Sequence, residues 1–110
     1  MRFLMNNRDF EKEVIFNEQL VVVEFFLDWC GTCHIIAPML QKIEAQYKDR
    51  VQFYKVDTDQ NGELGKQYGV YEIPTILFFK EGRVWDEIIG GFPRNLIEQK
   101  LNEMLQIEES

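Results

Sequence analysis

From Leu20 to Leu27 the chain reads Leu-Val-Val-Val-Glu-Phe-Phe-Leu, apolar at both odd and even positions. A strand with one wet face alternates apolar and polar residues. A run that is apolar at both parities has to be covered on both faces. That requirement points to a central strand between two layers of helix, and the rest of the chain supplies them. At 110 residues, with nine Phe, four Tyr and two Trp, there is enough material for one well-filled core. The aromatic content excludes a disordered chain. No apolar run reaches the roughly 20 residues that span a bilayer. With no repeats, Pro/Ser-rich linkers or low-complexity tracts, a single domain over residues 1–110 is expected.

Asn6 or Asn7 can cap a first helix running to about Phe16, with Phe10, Val14 and at most Ile15 on its buried side. After the Leu20–Leu27 strand, Ile35, Ile36, Met39, Leu40, Ile43 and Tyr47 fall near helical spacing and predict a helix from Cys30 to about Lys48. Pro38 inside it should kink it, since proline removes a backbone donor and clashes with the preceding turn. Val51–Val56 reads as a second central strand, and Gly62–Tyr68 as a short helix stopped by Gly69. Thr75–Phe79 and Val84–Ile89 read as an antiparallel hairpin about the Glu81-Gly82 turn. A last helix, Arg94 to Ile107, puts Ile97, Leu101, Met104, Leu105 and Glu108 on nearby faces. Helices interleaved with buried strands make the class α/β.

Twelve Lys and Arg against 19 Asp and Glu leave a net charge of −7. Phosphate binding needs clustered cations, so nucleic acid is not expected as a partner. A membrane is not expected either. The first residues lack the continuous apolar stretch of about 7–15 residues of an export signal, so the expected compartment is the cytoplasm. Thiols are kept mostly reduced there.

Only two cysteines are present, Cys30 and Cys33, and they are too close in sequence to staple distant segments. They lie in Trp29-Cys30-Gly31-Thr32-Cys33-His34, where a buried strand gives way to a helix. Free amides and the macrodipole at a helix start favour a thiolate over a thiol, which lowers the thiol pKa. Cys30 is nearest those amides. Three-residue spacing puts Cys33 on the same face about one turn inward, within reach of Cys30. This arrangement suits reversible dithiol–disulfide exchange, in which Cys30 attacks and Cys33 resolves the mixed disulfide. Gly31 allows close approach of a substrate backbone.

Three other readings compete. The cysteines could be small buried hydrophobes. They could be half of a zinc site, although the chain has one histidine and no second cysteine pair to complete it. Cys30-Gly31-Thr32-Cys33-His34 is also a C-x-x-C-H string, the haem-attachment pattern of c-type cytochromes, for which Met39 or Met104 would be the second axial ligand. Against haem, the string caps a buried strand and no export signal precedes it.

The residues also resemble a known family. Val21-Val22-Val23-Glu24-Phe25-Phe26 running into Trp29-Cys30-Gly31-Thr32-Cys33 is similar to thioredoxins. So are Ala37-Pro38, Lys55-Val56-Asp57, Tyr68-Gly69-Val70, Ile73-Pro74-Thr75, Phe79-Lys80-Glu81-Gly82 and Gly90-Gly91, in order along nearly the whole chain. The resemblance implies a thioredoxin fold, with a central mixed sheet of four to five strands flanked by helices on both faces. It implies reduction of protein disulfides through a reversible Cys30–Cys33 disulfide, recycling by a thioredoxin reductase, no cofactor, no metal and a monomer. It further implies a cis Ile73-Pro74 bond beside the cysteines. Ile73, Pro74 and Gly90 would line the groove that grips substrate backbone, and Trp29 would shield the disulfide.

Glu24 is the only charge in its strand, so burial should raise its pKa. The family places an aspartate here that takes the proton of the second cysteine. Glu24 would play that part with one more methylene, and Lys55 matches the lysine that partners the acid. Thr32 stands where the family usually has proline. It restores an amide at the helix start, which should favour the Cys30 thiolate and make the couple more oxidising. His34 replaces a common lysine and would add a group that titrates near neutral pH. Phe26 replaces a common tryptophan and reads as core packing. A thioredoxin-like oxidant or isomerase and a redox-inert docking scaffold remain as rival readings.

Overall fold

The computed structural model describes residues 1–91 and 94–109, with side chains through residue 107. Its strands are β1 (Arg2–Phe3), β2 (Leu20–Phe26), β3 (Val51–Asp57), β4 (Thr75–Lys80) and β5 (Arg83–Ile89). Its helices are α1 (Asn7–Phe10, continued by a π-helical segment Glu11–Ile15), α2 (Gly31–Tyr47), α3 (Gly62–Gln67) and α4 (Arg94–Glu109). Five strands form one mixed sheet in the order β1-β3-β2-β4-β5. The β1–β3 and β3–β2 pairs are parallel, and β4 and β5 are antiparallel to their neighbours.

All of β2 is buried, as its two-sided apolar pattern requires. Leu20 and Val22 face Ile36, Leu40 and Ile43 of α2 and Ile97 and Leu101 of α4. Val21, Val23 and Phe25 face Phe10 and Val14 of the first helical segment and Leu64 of α3. Two helices therefore cover each face of the sheet, and β2 carries the chain to the N-terminus of α2 from between them.

Several expectations are sharpened or corrected. Strand β1 has no counterpart in the sequence reading: two residues cannot show a period, and they become a strand only because Arg2 and Phe3 pair with Tyr54 and Lys55. The cap of the first helix is Asn6, whose Oδ1 accepts from the Asp9 amide at 2.9 Å. Ile35 is 77% exposed rather than buried, because it lies one residue off the inward stripe set by Ile36, Leu40 and Ile43. Helix α2 is continuous through Pro38. In α4, Ile97, Leu101, Met104 and Leu105 are buried as expected, while the Glu108 side chain lies outside the described residues.

The hairpin turn has both Glu81 (φ 52°) and Gly82 (φ 78°) in the left-handed region, the requirement of a two-residue type I′ turn. A Cβ at Gly82 would stand 2.7 Å from the Ile15 carbonyl oxygen, so the turn docks on the first helical segment only with glycine there.

Candidate active site

Cys30 is the N-cap residue of α2, with extended backbone (φ −85°, ψ 112°). Its carbonyl accepts from the His34 amide at 3.3 Å, and its Sγ accepts from the Cys33 amide at 3.1 Å. A side-chain acceptor at this position satisfies one of the free first-turn amides. A sulfur that carries negative charge would be held more strongly still. Cys30 and Cys33 are joined by a disulfide, with Cα atoms 5.3 Å apart. Cys30 is partly exposed, whereas Cys33 is 6% exposed. The first of the two residues is therefore the more accessible. The His34 Nε2–H donates to the Asp28 carbonyl at 2.5 Å.

Beneath the disulfide is a small cavity of about 100 Å³ lined by Glu24, Asp28, Cys33, His34, Ala37, Lys55 and the apolar Phe3, Phe26 and Leu27. Glu24 is 5% exposed. Burial pushes its carboxyl up to about 7, with Lys55 and the N-terminal amine pulling the other way. A carboxyl held near neutrality, on the same cavity as a buried thiol, can accept a proton and return it within one cycle. Lys55 stands opposite Glu24 in the β2–β3 register. Its ammonium lies 4.4 Å from the Phe3 ring centroid and 5.0 Å from that of Phe26. No ion pair joins Lys55 to Glu24 among the described residues.

The Ile73-Pro74 bond is cis, as the resemblance implied. Pro74 is buried, Ile73 is half-buried, and the Pro74 carbonyl accepts from the Gly90 amide at 2.8 Å. Gly90 has φ +82°, which a side chain would strain. This bond ties the cis-proline segment to the end of β5. Thr75, 3% exposed, donates its hydroxyl to the Glu72 carbonyl at 2.6 Å and closes the same turn. The sequence carried no sign of that role beyond a hydroxyl at the start of an apolar strand.

Trp29 is 75% exposed on the loop just before Cys30, and Tyr71 is 83% exposed in the loop before the cis bond. Gly31 and Thr32 are exposed at the helix start. A Cβ at Gly91 would lie 3.3 Å from Thr32 Cγ2. Thr32 thus lies close to Gly91, just after β5, a proximity that no local pattern could have shown. In this oxidised state the amide that reaches Cys30 Sγ is that of Cys33, one residue beyond Thr32.

The thioredoxin family model matches residues 2–103. Thioredoxin 1 of Nostoc sp. is 36% identical over 96 residues, covering 87% of this chain and 90% of that protein. Thioredoxin 1 of Synechococcus elongatus is 38% identical over 96 residues with the same coverage. The solved structure of Malassezia sympodialis thioredoxin superposes with a TM-score of 0.82 at 32% identity, covering 90% of this chain and 86% of that one.

Proposed function

Since this chain belongs to the thioredoxin family, we propose that it reduces protein disulfides through Cys30 and Cys33 in two exchange steps. The Cys30 thiolate attacks one sulfur of a substrate disulfide. A Cys30–substrate mixed disulfide forms and the other substrate sulfur leaves as a thiolate. The Glu24 carboxylate takes the proton of the Cys33 thiol. The Cys33 thiolate then attacks Cys30 Sγ, releasing the second substrate thiolate and leaving the Cys30–Cys33 disulfide. Two electrons pass from the dithiol to the substrate, and a thioredoxin reductase returns them.

The single observation that carries this reading is the asymmetry of the pair: a partly exposed Cys30 capping α2, and a buried Cys33 on the cavity of a buried acid. In the proposal Lys55 assists Glu24, and Trp29, Ile73, Pro74 and Gly90 hold substrate backbone. Thr32 and His34 tune the couple beside Gly31. The working unit is residues 1–110 as one domain and a monomer, in a reducing compartment such as the cytoplasm. Reduction of insulin by the dithiothreitol-recycled protein tests the reading. Wild type accelerates it and Cys30→Ser does not. Undiminished activity in Cys30→Ser would reject it.

A further inference from the structure

Phe3, Lys55 and Glu24 stand side by side across three neighbouring strands: Phe3 is in register with Lys55 on β1–β3, and Lys55 with Glu24 on β3–β2. Residues opposite one another in adjacent strands project to the same face of a sheet. That face is the one α2 covers, since Phe3, Lys55 and Glu24 share their cavity with Cys33 and Ala37 of α2. The Phe26 ring completes the arrangement, meeting Phe3 edge-on with centroids 5.6 Å apart. The Lys55 ammonium is within cation–π range of both rings, at 4.4 and 5.0 Å. An ammonium on a flexible stem hydrates strongly and moves toward water when it can. Lys55 is half-buried next to β1, the outermost strand of the sheet.

We propose that Phe3 and Phe26 clamp the Lys55 ammonium beside the Glu24 cavity, making Phe3 a positioning residue for deprotonation of Cys33. The clamp rests on the roles of Glu24 and Lys55 proposed above. The ring faces compensate the ammonium for water it gives up. They keep a positive charge near Glu24 without letting it close into an ion pair. The other ionisable groups around Glu24 are the N-terminal amine beside β1, Asp28 on the loop after β2, and Cys33 and His34 from α2. On the β4 side its register neighbour is the apolar Ile76. Lys55 is therefore the charge whose position the aromatic residues control. Phe3 is 45% exposed on a two-residue strand, so replacing it leaves the main core untouched.

The test follows the Glu24 carboxyl by NMR titration of the oxidised full chain. In Phe3→Leu, which keeps apolar cover and removes the ring, the ammonium withdraws and the Glu24 midpoint rises by about half a pH unit or more. Phe26→Leu moves it the same way. Phe3→Trp leaves it at or below the wild-type value. In a Lys55→Met background, Phe3→Leu adds no further shift. At pH 7 the resolving step slows about twofold in Phe3→Leu, the change in ionised fraction that a half-unit rise from a midpoint near 7 implies, and recovers at pH 9. An unchanged or lowered midpoint in Phe3→Leu overturns the clamp, as does an equal rise with and without Lys55. Failure of the Glu24 reading would show separately, as a Glu24→Gln variant whose resolving step is no slower than wild type at pH 7.

Discussion

The Cys33 amide donates to Cys30 Sγ across 3.1 Å, so the residue proposed to resolve a mixed disulfide also helps hold the sulfur proposed to form it. The same geometry starts α2, because that sulfur stands in for the side-chain oxygen of an ordinary N-cap. Redox state and helix capping are linked at one atom.

Thr32 contributes a second first-turn amide where proline would have none. In the reduced protein that amide can add to the stabilisation of the Cys30 thiolate. A hydrogen bond to a charged group is worth about 1.5 kcal/mol, which corresponds to about 30 mV for a two-electron couple. Stabilising the thiolate stabilises the reduced form, so Thr32→Pro should lower the potential by about that amount. Equilibration against a reference dithiol measures it. A potential that stays constant or rises would remove Thr32 from the set of tuning residues.

Glu24→Gln should slow disulfide reduction more at pH 7 than at pH 9. Without the carboxylate, Cys33 loses its proton to solvent, and hydroxide makes that easier at high pH. Equal slowing at both pH values in an insulin assay would make Glu24 a packing residue only.

The same residue links stability to pH. Burial raises the Glu24 carboxyl from 4.5 to about 7 in the folded chain. The folded state therefore binds its proton more tightly than the unfolded state. The Glu24 contribution is fully present below about pH 4.5 and is lost as pH rises through 7. At pH 8 ionisation of Glu24 costs roughly 3 kcal/mol. Glu24→Gln should be more stable than wild type at pH 8 by up to that amount and close to it at pH 4.5. Urea unfolding at the two pH values measures the difference. A variant less stable than wild type at pH 8 would show that the carboxylate is better solvated than its burial indicates.

The layered fold was legible in the sequence because β2 is apolar at both parities and because the helices keep their stripes. The Cys30–Cys33 placement was legible because a buried strand runs directly into a periodic segment. Glu24 stood out as the lone charge in that strand. What stayed hidden depends on distant pairing. Strand β1 exists only against β3, and Lys55 meets the Phe3 ring only because β1 brings it there. Thr32 meets Gly91 across the fold, and Gly82 docks on Ile15. Ile35 and Ile36 are adjacent apolar residues of one helix, and spacing alone does not say which turns inward.

The division of labour between the two sulfurs is tested most directly by mass spectrometry of single-cysteine variants mixed with a disulfide substrate. In Cys33→Ser the attacking sulfur remains and the resolving one is gone, so a covalent adduct of protein plus one substrate chain should accumulate and disappear on adding dithiothreitol. In Cys30→Ser the remaining sulfur is buried, and little adduct should form. An adduct that accumulates on Cys33 rather than on Cys30 would contradict the assignment.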